Sequence, residues 1–552
     1  MTLRSTLLAA LAGIFLGLSA APHEVPLGPV LFAPLLGIAM GLAPTFDTVR
    51  QGMRRGLLVG LAAGAACNAL VLYWVVGLMQ DFAHFPWVAA LLVGVLLWAG
   101  QAGPMVFAGA VSGGLRARGV PLALSLPLTL TVGFAFVWQL FPWHPAVGML
   151  PFLEWVQGAD LAGQAPLDLL LCAGGCLLVA AFDTPMGAAP SSVSRRASLV
   201  LAGVLCLAAP AVYGYVRLPQ VRAARAAAPS VRVGVVQPNV GIFEKHDRRY
   251  FRMQIEVLRR QTRQVEAEGA EIVIWPETAY PFGFFRDATR DREGPFAVLR
   301  DGVRGPVLVG AATYGEGCEV WNSVLALEAD GRVTGRSDKV ELLYFGERVP
   351  LWEELPPLQW AFQCPGVYPG DEPGVLTLGG AGIGVLNCYE DVLDHYGRAV
   401  AERSPDYLVN VTNDAWFGDS SEPLLHHMVA RMRSIETRRD MVRAVNTGVS
   451  GHIAATGENV LVTETFVPAT FVTTVAKLGA AEGTIGRTIY VRVGRAFEWL
   501  ALAALLGLVF WARAARGDRS ARPTRNAPVS QRPRPPSSEG GPDAEEAVAK
   551  GD

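Results

Sequence analysis

Long apolar runs separated by short polar loops fill the first 220 residues, at 5–21, 27–44, 56–79, 87–112, 120–141, 164–182 and 197–216, and one more lies at 496–512. Each is close to the ~20 residues that a helix rising 1.5 Å per residue needs to cross a hydrocarbon core, so the pattern predicts eight spans. From residue 231 the period changes. Short β-rich runs at 231–237, 271–275, 307–312, 320–327, 382–387, 407–411 and 442–445 alternate with helical stretches, notably 249–268 and 423–439, which predicts a layered α/β fold. In the second helix Leu425, Met428, Met432 and Ile435 recur at helical spacing while Arg431, Arg438 and Arg439 fall elsewhere, the pattern of an amphipathic packing helix.

The chain thus divides into a seven-span region (1–220), an α/β domain (221–493), an eighth span (494–513) and a tail (514–552). The tail is rich in Arg, Pro and Ser and then acidic, with too few apolar residues for a core, and is expected to be disordered.

Charge sharpens the division. About 16 Asp, Glu, Lys and Arg residues occur in 1–220 against about 80 in the remainder, and no lysine precedes Lys245. The formal net charge of the 552 residues is -2, which gives no footprint of nucleic-acid binding. Arg4, then Arg50, Arg54 and Arg55, then Arg116 and Arg118, then Arg195 and Arg196 fall in every second loop, while the alternate loops carry Glu24, Asp81, Glu154 and Asp160. Positive residues favour the cytoplasmic side, so the N-terminus is expected inside and the α/β domain outside. Arg513, Arg516 and Arg519 after the eighth run satisfy the same rule from the other end. Arg4, the first apolar run and Ser19-Ala20-Ala21 also fit a cleavable leader, whose loss would leave every later orientation unchanged.

Three strand ends carry unusual chemistry. The run Glu271–Trp275 leads through Pro276 into Glu277; Ser337-Asp338-Lys339 precedes Tyr344-Phe345-Gly346-Glu347; and Gly384–Asn387 ends in Cys388-Tyr389-Glu390. Sites in open α/β sheets form outside strand ends, so the three can converge. A free thiol has a pKa of about 8.5 and needs a base to become a nucleophile, and a lysine with a backbone N–H can hold the oxyanion that follows. Each residue alone has an ordinary reading: a core thiol, a turn, a solvent-facing lysine.

Taken together, Trp275-Pro276-Glu277, Lys339 with Glu347 eight residues later, and Asn387-Cys388-Tyr389-Glu390 resemble the Glu-Lys-Cys triad of the nitrilase superfamily. The segments Asn413-Asp414-Ala415-Trp416-Phe417-Gly418-Asp419 and Met432-Arg433-Ser434-Ile435-Glu436 resemble its membrane-bound branch, the apolipoprotein N-acyltransferases. The resemblance implies an αββα sandwich between spans seven and eight of a multi-pass protein of the bacterial inner membrane, facing the periplasm; a monomer is expected, and without a Walker-type phosphate loop or dinucleotide fingerprint no cofactor is expected. It implies Glu277 as general base, Lys339 as oxyanion stabiliser and Cys388 as thioester-forming nucleophile. Glu347, Tyr389 and Glu390 become supporting residues, with the Tyr389 N–H at the oxyanion. It also implies a phospholipid as acyl donor and the α-amine of a diacylglyceryl-cysteine apolipoprotein as acceptor; a membrane-anchored amidase is the alternative. Some family members carry Trp where His246 aligns, so no substrate-binding role passes to that residue.

An enzyme drawing acyl chains from a bilayer needs an apolar route to its thiol. Tyr280, Phe282, Phe284 and Phe285 after Glu277, and Phe345, Leu351, Trp352, Leu355, Leu358, Trp360 and Phe362 after Lys339, suit two loops that dip into the interface; packing on the domain's own core is the competing expectation. Cys318 and Cys364 can pair in an oxidising compartment. Asp168 and Asp183, near the ends of the sixth span, are expected at water-facing boundaries. His426-His427 lacks a zinc-site spacing, and Gly448-Val449-Ser450-Gly451 lacks that of a serine elbow.

Overall fold

The computed structural model describes residues 2–41, 48–182 and 193–520. All eight apolar runs carry helix. Ala165–Phe182, Val193–Ala227 and Ala496–Ala514 are each long and apolar enough to cross a membrane alone. Val49–Val71 with Val75–Asp81, and Trp87–Gln101 with Gly103–Arg116, reach that length as pairs bent by 55° and 45°, while Leu3–Leu18, Leu27–Gly41 and Leu122–Phe136 are shorter. The second bend follows from Pro104 at the start of the new helix, where its missing N–H is tolerated. Helices Val49–Val71 and Gly103–Arg116 cross closely because Gly56 and Gly109 meet there: a Cβ on Gly56 would lie 1.8 Å from the Gly109 carbonyl oxygen.

Among the described residues thirteen strands follow: β1 (Ser230–Gln237), β2 (Ile272–Ile274), β3 (Tyr280–Phe285), β4 (Val307–Tyr314), β5 (Val320–Leu327), β6 (Val333–Asp338), β7 (Val375–Leu378), β8 (Ala381–Asn387), β9 (Tyr407–Thr412), β10 (Met441–Val445), β11 (Gly451–Ile453), β12 (Asn459–Val462) and β13 (Ala469–Ala476). One sheet runs β13-β1-β2-β4-β5-β6 with β3 also on β4, and the other runs β12-β11-β10-β9-β8-β7. Val233, Val235, Ile272 and Ile274 of the first face Ile383, Val385, Val409 and Val442 of the second in one buried core. Helix Phe251–Ala267 covers the outer face of the first sheet through Ile255, Leu258 and Val265. Helices Asp394–Glu402 and Glu422–Thr437 cover the second through Tyr396, Val400 and Ala430. The result is the expected αββα sandwich.

Helix Glu422–Thr437 is buried on two sides. Its Met428, Val429, Met432 and Ile435 join the same core as Phe32, Leu36, Met149 and Trp155 of the apolar helical region. Nearby, Asp160 of that region is buried and lies 2.8 Å from both Arg217 and Arg438, while Arg438 donates to Gln157 Oε1 at 2.7 Å. A buried pair of this kind fixes relative position more than it adds net stability.

Asp168 departs from expectation. It is fully buried rather than water-facing, 2.6 Å from His144 Nδ1 and accepting from the Ala146 N–H at 2.8 Å. Its helix-start carboxylate is spent on organising the loop before it; Asp183 lies outside the described residues. The segment after Glu277 also differs. Tyr280–Phe285 is strand β3, with Tyr280 and Phe284 buried in the domain's own core and Phe282 packed against it, so packing prevails for these three, while Phe285 stays exposed. The second segment keeps its aromatic residues outside: Phe345 is 83% and Trp360 93% exposed. Cys318 and Cys364 are disulfide-bonded, with Cα atoms 5.7 Å apart, which anchors the far end of that segment beside β5.

Candidate active site

Glu277 follows β2 at a corner locked by Trp275, whose indole N–H donates to Thr262 Oγ1 at 2.9 Å from the covering helix. The corner lies flat on β4 because position 310 is glycine: a Cβ there would sit 1.9 Å from the Pro276 carbonyl oxygen. Lys339 immediately follows β6, and its N–H donates to the Asn322 carbonyl of β5 at 2.8 Å. Cys388 immediately follows β8 and opens the short turn Cys388–Asp391 with φ of 51°, a left-handed conformation that a non-glycine residue adopts only when its surroundings impose it. Asn410 of β9 imposes part of it by donating to the carbonyls of Leu386 and Cys388, each at 3.2 Å.

The three strand ends meet as expected. Lys339 Nζ lies 2.8 Å from Glu347 Oε1 and 3.5 Å from Glu277 Oε1. Asn322 Nδ2 donates to Glu277 Oε1 at 2.6 Å and reaches Glu347 Oε1 at 3.3 Å. Glu347 Oε2 accepts from the Leu343 N–H at 2.9 Å, which curls the intervening segment over the lysine. Glu390 Oε2 accepts from the Asn387 N–H at 2.7 Å, and its Oε1 accepts from the N–H groups of Val340 and Glu341 at 2.7 and 3.1 Å. Glu390 therefore ties the cysteine turn to the residues after Lys339. Tyr389 points the other way, its hydroxyl donating to the Leu140 carbonyl at 2.7 Å in the loop between apolar helices.

The electrostatics divide the work. Burial pushes the Cys388 thiol well above its ordinary range, the Glu277 carboxylate adds to that, and Lys339 opposes it. A thiol so placed is protonated at rest and becomes a nucleophile only on losing its proton to a base. Burial opposes the charge on Lys339, yet Glu347, a Cys388 thiolate and Glu277 outweigh it, so the lysine stays an ammonium. Burial likewise raises Glu390 to about 7 against the pull of its backbone donors.

The thiol sits in a cavity of about 70 Å³ walled by Val71, Leu72, Trp74, Phe141 and Trp143 from the apolar helical region and by Phe417, Leu425 and Val429 from the α/β domain. A larger cavity of about 650 Å³ lies beside it, sharing the wall residues Leu343, Tyr389, Val392 and Val429.

Sequence reasoning overlooked Asn322, Asn410 and Lys245. The first two were legible as polar residues inside otherwise buried strand runs. Lys245 is buried on the short helix Ile242–His246, and nothing local marks it as inward-facing. His426, without a zinc-site spacing in the sequence, donates from Nε2 to Asp391 Oδ1 at 2.7 Å, with Nδ1 3.3 Å from Asp414 Oδ1.

The carbon-nitrogen hydrolase family profile matches residues 232–493. An apolipoprotein N-acyltransferase of Geobacter metallireducens is 32% identical over 91% of this chain and 94% of its own length. The chain belongs to the apolipoprotein N-acyltransferase family. A second relative in that family, from Sinorhizobium medicae, is 32% identical over 82% of this chain and 87% of its own length. Among solved structures, an amidase of the nitrilase superfamily from Nesterenkonia is 16% identical, with a TM-score of 0.36, covering 49% of this chain and 97% of the amidase. Family membership makes the protein an N-acyltransferase with a carbon-nitrogen hydrolase region.

Proposed function

We propose that the protein transfers a fatty acyl chain from a phospholipid to the α-amine of the diacylglyceryl-cysteine of an apolipoprotein, through a thioester on Cys388. The observation that carries this reading is the cavity around Cys388, where Val71, Leu72, Trp74, Phe141 and Trp143, from a helix end, a helix break and a loop of the apolar region, wall the thiol together with Phe417, Leu425 and Val429 of the α/β domain. An enzyme releasing a small amide to water gains nothing from such a wall, whereas one taking an acyl chain from a bilayer needs it.

In the first transfer Glu277 accepts the Cys388 proton as sulfur attacks the ester carbonyl, and the Lys339 ammonium with the Tyr389 N–H stabilises the oxyanion. The ester C–O bond then breaks, and the lysophospholipid alkoxide takes the proton back from Glu277. In the second, Glu277 accepts the amine proton as nitrogen attacks the thioester, and the departing Cys388 thiolate takes that proton from it, which restores the thiol and the carboxylate. Two transfers through one covalent intermediate give ping-pong kinetics. Glu347 and Glu390 act by placing Lys339 and the cysteine turn.

In this reading residues 1–220 supply seven crossings, 221–493 the catalytic domain and 494–513 the eighth crossing, with the arginine-bearing loops in the cytoplasm and the domain on the periplasmic side of the inner membrane. Of the tail 514–552, residues 521–552 lie outside the described residues.

The test is the mass of the Cys388 peptide after incubation with phospholipid alone. An acyl adduct that disappears on adding a diacylglyceryl peptide, with N-acylated peptide formed, is the expected result. An adduct lost only to water would make the enzyme a hydrolase, and Cys388→Ala should abolish the adduct.

A further inference from the structure

Lys245 is the first lysine of the chain and stands on the short helix Ile242–His246, far in sequence from the triad. It is 8% exposed, and its Nζ donates to the main-chain carbonyl of Glu277 at 2.9 Å. Among the described residues no carboxylate lies within 4.0 Å of it. Burying an ammonium without a direct ion pair is costly, and a lysine with no task at depth would extend its stem to water.

What surrounds it suggests the task. The carbonyl it holds belongs to the corner that aims the Glu277 side chain, and the next residue, Thr278, has φ of 44°, an unfavourable conformation that needs external support. Burial lowers Lys245 to about 8, while Glu277 and a Cys388 thiolate pull it upward. Around Cys388 the carboxylates of Glu277, Asp414 and Glu347 disfavour the thiolate and Lys339 favours it; around Lys245 stand Glu277, Cys388 and His246.

We propose that Lys245 is a positioning residue of the catalytic centre, whose buried ammonium holds the main chain of Glu277 and supplies a second positive charge toward Cys388. The proposal rests on the triad reading above but not on the identity of the acyl acceptor. Lys339 then answers the oxyanion side of the reaction while Lys245 steadies the base and the sulfur.

The experiment uses the full chain in lipid nanodiscs, with Cys388 alkylation by iodoacetamide followed across pH by peptide mass and acyl-Cys388 formation followed from phospholipid. Lys245→Met is expected to move the alkylation profile to higher pH and to slow acylation by roughly 10–100-fold, the scale of losing placement at a reacting group. Lys245→Arg should recover most of both. Lys245→Gln, which still donates to the Glu277 carbonyl without charge, should shift the profile while losing less acylation than the Met variant. An unshifted profile in both the Met and Gln variants, or an Arg variant no better than Met, would overturn the proposal and leave Lys245 a packing residue. Alkylation needs no acceptor, so failure of the transferase reading, seen as an adduct lost to water, is distinguishable from failure of this one.

Discussion

Lys339 stands closer to Glu347 than to Glu277, 2.8 Å against 3.5 Å. The lysine's charge is therefore shared unequally, and the carboxylate assigned as base is the less engaged of the two. Its own Oε1 is held instead by the neutral Asn322 amide at 2.6 Å, which orients it without neutralising it. A base must stay available for a proton, and this division leaves it so.

Glu347→Gln tests the division. With the nearer carboxylate gone, the ammonium has only Glu277 to pair with, and the base is weakened. Acyl-Cys388 formation should slow by about 10²-fold with lipid binding unchanged. Single-turnover acylation against vesicle binding checks this, and an equal loss of both would place Glu347 in lipid recognition.

Glu390 accepts three backbone N–H bonds and donates none. Glu390→Gln turns one of its oxygens into a donor facing another donor. The expected cost is about 1–3 kcal/mol of stability together with slower acylation, since the turn bearing Cys388 is no longer pinned to Val340. Chemical denaturation combined with the acylation rate checks it; a destabilised variant with normal acylation would show that the tie does not place the sulfur.

His426 gives a pH-dependent signature. Burial opposes its charge, but Asp391 and Asp414 prevail and raise it to about 10. Its contribution to stability is therefore complete below the unfolded-state pKa of about 6.5 and is lost as pH rises through about 10. In His426→Gln the fall in stability between pH 7 and 10 should be smaller than in the unaltered protein. Melting temperatures across that window decide it, and parallel curves would show that the imidazole is uncharged.

The segment carrying Phe345, Leu351 and Trp360 presents large apolar side chains to the outside and is anchored at Cys364 by the bond to Cys318. In nanodiscs Trp360 should be quenched by brominated lipid. Trp360→Ala should raise the KM for vesicle phospholipid and leave the reaction with a short-chain soluble ester nearly unchanged. Replacing both cysteines by serine should speed hydrogen exchange over 345–362 more than elsewhere.

Much of the molecule was legible beforehand. The strand runs before Glu277 and Cys388 are continuous and apolar, and β-rich segments of that length have few alternatives. Of β6 only the end at Asp338-Lys339 is legible, and β3, β7, β11, β12 and β13 are not, being short, glycine-bearing or, in β13, rich in Ala and Thr. β13 is a strand only because residues 469–476 return antiparallel to β1, from Ser230 opposite Ala476 to Gln237 opposite Ala469. The aromatic residues of β3 illustrate the same limit: a run such as Tyr280–Phe285 suits a core strand as well as a membrane-facing loop, and pairing with β4 decides between them.

By itself the sequence determined the eight apolar segments, the α/β region between the last two, and the three strand ends that carry carboxylate, ammonium and thiol, because hydropathy period and residue chemistry are local properties. Only the tertiary structure decided which polar groups support them. Asn322, Asn410 and Lys245 reach Glu277 and Cys388 from other strands and a separate helix. Asp160 and Asp168 turn inward to partners distant in the chain. Burial and charge pairing depend on what folding brings within a few ångströms, and no local pattern encodes that.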